Sequence, residues 1–97
     1  MQAEIQIKFN DIDHAINLLK KHVNWESSIN RVREFNNLVE SQNFWDDKIK
    51  AQAIMKEKKQ LEKTIDQIKY VEIEKENLFE LIRLAEEEKD NIFFFFC

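Results

Sequence analysis

The sequence predicts an all-α fold, either an antiparallel helical bundle or a coiled-coil hairpin of two to four helices. Its 97 residues include no glycine and no proline, the residues that form tight turns and end helices. Apolar residues make up 43% of the chain and charged residues 35%, so the composition is that of a packed chain rather than a disordered one. Apolar side chains recur every three or four residues, the spacing of one helix face. A chain this short allows one small domain, which we place at residues 1–91.

The first predicted helix covers residues 5–23. Its apolar seam consists of Ile5, Phe9, Ile12, Ile16, Leu19 and Val23. The seam stops in residues 24–28, where short polar side chains offer helix caps, which predicts a kink or short break near Trp25. A second apolar stripe then follows, formed by Ile29, Val32, Phe35, Leu38 and Val39.

The polar residues 41–43 end that second helix. Asn43 and Asp46 have the spacing of a capping box, with Asn and Asp in place of Ser and Glu. A new helix is therefore expected to begin at Phe44 or Trp45, with Trp45 buried as a structural anchor. Its seam consists of Ala51, Ile54, Leu61, Ile65 and Ile68. Lys58 occupies one seam position, where it is expected to extend its ammonium group to water or to mark a packing edge.

The apolar pattern blurs at Tyr70 and Val71 before it resumes. Either one long helix or two helices with a tight reversal fit this stretch, and we favour one helix because no helix breaker is present. Charge is unevenly distributed here. Residues 48–63 carry a net charge of +4 and residues 72–90 a net charge of −5, so the two stretches would complement each other if they ran antiparallel.

Residues 92–97 form an apolar tail, in which four consecutive phenylalanines precede Cys97. An exposed run of this kind promotes aggregation, so the tail looks foreign to the acidic helix before it. One interpretation is a slipped reading frame in thymine-rich DNA, and the other is a buried C-terminal plug. A lone cysteine forms no internal disulfide, and the expected location is the cytoplasm.

The sequence predicts no catalytic, cofactor-binding or metal site, and no enzyme. His14 and His22 would lie about 12 Å apart along a helix, too far to bind one zinc ion together. Asp11 and Asp13 stand beside seam positions with no nucleophile nearby, and residues 86–88 read as a solvated acidic face. A chain without glycine has no phosphate-binding loop. No run of about 18 apolar residues predicts a membrane span.

Five short stretches resemble the bacterial peptide chain release factor 2 family. Residues 31–36 (RVREFN) are similar to its Arg, apolar, any residue, Glu, apolar, Asn pattern, and residues 45–47 (WDD) fall at its Trp followed by two polar residues. Residues 51–53 (AQA), 56–58 (KEK) and 61–62 (LE) are similar to the family's next elements without a gap. Outside these stretches only the helix pattern is compatible.

The resemblance implies the N-terminal helical domain of such a factor, truncated before its other domains. Family members often carry Pro before and after the Trp, where this chain has Gln42 and Lys48, so those helix caps are weaker here. The family hydrolyses peptidyl-tRNA through a Gly-Gly-Gln loop and reads stop codons through Ser-Pro-Phe. A chain without Gly or Pro carries neither motif. By resemblance, the remaining partner is the ribosome, near its stalk base.

Two other interpretations stay open. A free-standing coiled-coil interaction module would use its apolar seam to bind another chain or a second copy of itself. An RNA-binding hairpin would use the lysines of residues 48–63, although no stacking aromatic side chains are interleaved with them. Direct RNA contact would then weaken steeply with salt.

Overall fold

A computed structural model describes the backbone of residues 2–96 and the side chains of residues 2–89. It contains three α-helices, α1 (Ala3–His22), α2 (Trp25–Val39) and α3 (Lys48–Phe96), with a short 3₁₀ helix (Phe44–Asp46) before α3. The described backbone contains no strand. The predicted all-α hairpin is therefore confirmed. The side chains of the tail 92–97, including Cys97, lie outside the described residues, so both interpretations of the tail stay predictions.

The helices form a long antiparallel hairpin. α1 and α2 follow one another along one arm, and α3 forms the other arm alone. Phe9 meets Phe79, Lys20 meets Glu72 and Arg31 meets Glu57, so residue numbers fall along α3 as they rise along α1 and α2. The molecule extends 74 × 24 × 15 Å. Its smallest dimension is close to the diameter of one helix, about 10–12 Å, so the hairpin is a single layer of two helices.

The predicted break in the first arm is confirmed at Val23 and Asn24. Asn24 adopts a left-handed conformation (φ 53°, ψ 64°), which asparagine tolerates better than most residues. Ser28 stabilises the junction, since its Oγ donates a hydrogen bond of 2.7 Å to the carbonyl oxygen of Val23. The break lets α2 start in a new direction while both helices keep contact with α3.

The turn between the arms differs from the prediction in its capping residue. Asn43 makes no side-chain capping bond, and Phe44–Asp46 forms one 3₁₀ turn instead of the start of α3. The cap is Asp47, whose Oδ1 accepts a hydrogen bond of 3.1 Å from the backbone N–H of Lys50. Asp47 has an extended backbone, as capping residues usually do. α3 therefore begins at Lys48, one turn later than expected.

A narrow apolar strip between the arms forms the core. Its buried side chains are Phe9, Ile16, Phe35, Phe44, Ala51, Ile65 and Ile68. The seam predicted for α1 is only partly buried, because Ile12 and Leu19 are exposed. Two helices in one layer cover only the side of each helix that faces the other. Lys58 is half-buried beside this strip and pairs with Glu62 at 3.4 Å, in agreement with its predicted place at a packing edge.

α3 continues without interruption through residues 70–73, as we favoured. The condition under which the two charged stretches would complement each other is therefore not met within the chain. The basic stretch 48–63 and the acidic stretch 72–90 both belong to this one helix. They follow each other along it and do not face each other within the chain.

Candidate functional site

The histidines and aspartates of α1 are dispersed along the helix. His14, His22 and Asp11 are exposed, and Asp13 accepts a hydrogen bond from Nζ of Lys75 on α3. This contact and a second one to Glu76 raise the pKa of Lys75, so its ammonium group stays charged. Among the described residues, no three His, Cys, Asp or Glu side chains lie close enough together to hold a metal ion. Asp13 is thus part of a helix-pairing contact.

Residues 38–49, where the two arms meet, form the tip of the hairpin. In the aromatic pair at the tip, Phe44 and not Trp45 is the buried residue. Phe44 is the buried anchor, with 9% of its surface exposed, whereas Trp45 is 56% exposed. The two rings meet edge to face with their centroids 4.7 Å apart. The 3₁₀ turn accounts for this difference, because adjacent residues of a 3₁₀ helix point about 120° apart and the two rings therefore cannot share one side of the turn. The prediction that Trp45 is buried was wrong.

The tip exposes more apolar surface beside this tryptophan. Leu38 at the end of α2 and Ile49 at the start of α3 are both exposed, and Ile49 is 83% so. A hollow of about 310 Å³ at the same end is lined by Leu38, Phe44 and Ile54, among others. An exposed tryptophan together with exposed aliphatic side chains is typical of a protein-binding surface, because Trp is enriched among the residues that dominate binding energy.

Basic side chains continue from the tip along the first turns of α3. Lys48, Lys50 and Lys56 are exposed. Arg31 of α2 donates from Nε to Oε1 of Glu57 at 2.7 Å and lies over the ring of Phe35, 4.9 Å from its centroid. The hydrogen bond to Arg31 lowers the pKa of Glu57, and the pKa of Arg31 is raised in turn. The tip therefore combines apolar anchors with a positively charged flank.

The sequence predicts the third helix to within one turn of its observed start but does not indicate the exposed surface at the tip. Asp47 stands three residues before Lys50 and directly before α3, which is the position of a capping residue. Had Asp47 been chosen over Asn43, Phe44 and Trp45 would have fallen in the connecting loop. Loops that are held by a rigid scaffold often carry function. A cap at Asp47 would therefore have indicated the tip as a candidate functional surface.

The structure defines a helical hairpin whose tip exposes apolar side chains beside a run of lysines. Comparisons with known proteins then give a specific likeness. The chain is 39% identical over 90 residues to peptide chain release factor 2 of Ruegeria sp. and, equally, to that of Paramagnetospirillum magneticum. It is 28% identical over 90 residues to peptide chain release factor 2 of Neorickettsia sennetsu. Each match covers 93% of this chain.

These matches confirm the resemblance and extend it. The resemblance rested on residues within 31–62, whereas the aligned region takes in most of the flanking helices as well. The chain spans about a quarter of the length of these curated relatives. No family model and no solved structure matches it.

The described residues include no helix that is both long enough and apolar enough to cross a membrane.

Proposed function

We propose that this chain is a non-catalytic docking segment of a bacterial translation-termination factor and that its partner is the ribosome. The similarity to peptide chain release factor 2 along nearly the whole chain supports the proposal that the chain is part of such a factor. The absence of glycine and proline supports the lack of catalysis, because the family's hydrolytic and codon-reading motifs contain those residues. A factor of this kind works in the cytoplasm, where translation takes place.

The observation that carries the docking role is the exposure of Trp45. A large aromatic ring that is more than half exposed at the end of a rigid hairpin contributes little to the core. Its cost in solubility is accounted for if a partner covers it. Ile49 and Leu38 extend the apolar surface around it, and the lysines of the first turns of α3 suit a partner rich in phosphate or acidic groups.

The length of the hairpin supports a positioning role. The molecule is 74 Å long, so a contact at the tip is held far from the opposite end, where α1 begins. By the family resemblance, the tip would reach the region of the ribosomal stalk base.

The test is co-sedimentation of the labelled chain with bacterial large ribosomal subunits. Trp45→Ala is compared with Tyr70→Ala, because Tyr70 is an exposed aromatic residue in the middle of α3, far from the tip. We expect Trp45→Ala to weaken binding about tenfold or more, the loss typical of an interface anchor, and Tyr70→Ala to leave it unchanged. Equal binding by both variants, or no binding by the parent chain, would overturn the proposed docking surface.

A further inference from the structure

Four exposed apolar side chains of the α1–α3 pair share one broad face of the hairpin. Phe9 and Ile16 are buried against α3, and Ile12 and Leu19 each follow one of them by three residues. Three residues advance about 300° around a helix, which is about 60° short of a full turn. Ile12 and Leu19 are therefore displaced to the same side of the buried residues. They lie on the rim of the helix contact.

The same displacement occurs on α3. Ile68 is buried and Lys75 contacts α1, and Val71 and Leu78 follow these two residues by three. The side chains of α1 and those of α3 are rotated in the same sense about their own helix axes. Because the two helices are antiparallel, this rotation brings both sets to the same face of the hairpin. Ile12, Leu19, Val71 and Leu78 therefore form one exposed surface, which we call the apolar face.

Ion pairs occupy the other edge of the helix contact. Asp13 pairs with Lys75, and Nζ of Lys20 lies 2.7 Å from Oε1 of Glu72. Asp13 and Lys20 follow Phe9 and Ile16 by four residues, which turns them away from the apolar face. One edge of the hairpin is thus closed by charged pairs, while the other exposes aliphatic side chains.

The charges of α3 indicate what covers the apolar face. The basic stretch 48–63 has no acidic stretch opposite it within the chain, because its complement, 72–90, continues the same helix. A helix with opposite charges in its two halves is complementary to an antiparallel copy of itself. The broad face, 74 × 24 Å, is large enough for a stable interface, which needs about 800 Å² from each partner.

We propose that two copies of this chain associate antiparallel through their apolar faces and form a four-helix bundle with two-fold symmetry. Lys56 and Lys63 lie on the rim of the apolar face in the basic half of α3, and Glu74 and Glu88 lie on the same rim in the acidic half. None of these four forms an ion pair with another residue in the range 2–89. In the two-fold arrangement each basic half lies beside the partner's acidic half.

The first test is sedimentation equilibrium of the full chain over micromolar concentrations, with a matched pair of variants. Leu78 and Leu84 belong to the same helix and are both 48% exposed, but Leu84 lies on the side of α3 that faces away from α1. We expect Leu78→Glu to raise the dimer dissociation constant about tenfold or more, and Leu84→Glu to leave it within about threefold. The tail 92–97 is the same in both variants, so its effect is constant across the comparison.

The second test uses charge reversal and keeps the apolar face intact. The variant Lys56→Glu/Lys63→Glu and the variant Glu74→Lys/Glu88→Lys should each associate more weakly than the parent chain at low salt. Mixed together, they should form a heterodimer, because every rim contact is then between opposite charges.

Three outcomes would overturn the proposal: a parent chain that stays monomeric, a dimer equally sensitive to both leucine variants, and charge variants that do not associate when mixed. A monomer whose apolar face is instead covered by another domain of a longer factor would give the first outcome. Ribosome docking uses the tip, so Trp45→Ala should leave self-association intact, and the two proposals can fail separately.

Discussion

The ring of Phe9 in α1 meets the ring of Phe79 in α3 edge to face, with centroids 5.2 Å apart and an angle of 80° between the planes. The two residues are 70 positions apart in sequence, and their contact joins the two arms near the end of the hairpin opposite the tip. Edge-to-face pairs favour folding by about 0.5–1.5 kcal/mol beyond the burial of their area. With the ion pair of Asp13 and Lys75 one turn away, this contact fixes the register of the two arms.

Replacing Phe9 by Ala should lower the free energy of unfolding by about 3–5 kcal/mol, because a buried aromatic ring is lost and a cavity remains. Only 5% of Phe9 is exposed. Urea denaturation followed by circular dichroism measures the change. Ile7→Ala, at an exposed position two residues away, is the control and should change stability by no more than about 0.5 kcal/mol. Equal effects of the two substitutions would contradict the register described here.

At the tip, we expect Phe44→Ala to cost about 3 kcal/mol or more and Trp45→Ala less than about 1 kcal/mol. The physical reason is the difference in burial between the two rings. Thermal or urea unfolding of both variants gives the comparison. A larger loss of unfolding free energy for Trp45→Ala than for Phe44→Ala would mean that Trp45 is the buried residue, and Trp45 would then not be available to bind a partner.

The cap of α3 gives a prediction that separates two candidate residues. Asp47→Ala should lower the free energy of unfolding by about 1 kcal/mol, because the hydrogen bond to the N–H of Lys50 is lost. Asn43→Ala removes a side chain that makes no capping bond and should have a smaller effect. The reverse order would restore the capping box at Asn43 and Asp46.

The contact between Arg31 and Glu57 predicts a dependence on acid. The hydrogen bond to Arg31 lowers the pKa of Glu57 in the folded chain. The contribution of this contact to the free energy of unfolding is therefore complete above about pH 4.5, the ordinary pKa of a glutamate. It is lost as the pH falls through the lower value of the folded state. Glu57→Gln should therefore be less stable than the parent at neutral pH and equally stable in strong acid. NMR titration of the Glu57 carboxyl carbon measures the pKa directly, and an ordinary value would contradict the contact.

Much of the hairpin could be predicted from the sequence, because helices depend on local spacing. The three-four repeat of α1, the polar break after Val23 and the lack of any breaker near Tyr70 each have a local cause, and each agrees with the structure. The matching residues within 31–62 also indicated the right relatives.

What could not be predicted depends on how many helices pack together. Periodicity marks Ile12 and Leu19 as seam residues, and in a thicker bundle both would be buried. In a single layer of two helices they are exposed. The roles of Phe44 and Trp45 depend on the direction in which one 3₁₀ turn points, and no periodic pattern encodes that direction.

The isolated chain should release no peptide from ribosomal termination complexes, because it carries neither Gly-Gly-Gln nor Ser-Pro-Phe. A release assay with labelled peptidyl-tRNA and a complete factor as positive control measures this. Hydrolysis above the background without factor would refute the non-catalytic role.

The most direct test of the proposed role is a chimera, in which this chain replaces the similar quarter of the Ruegeria release factor 2. Peptide release at a stop codon is then measured on bacterial ribosomes. We expect the chimera to act at a rate close to that of the parent factor, and Trp45→Ala within the chimera to weaken its ribosome binding. A folded chimera that releases peptide no faster than the same factor with this quarter deleted would contradict the account.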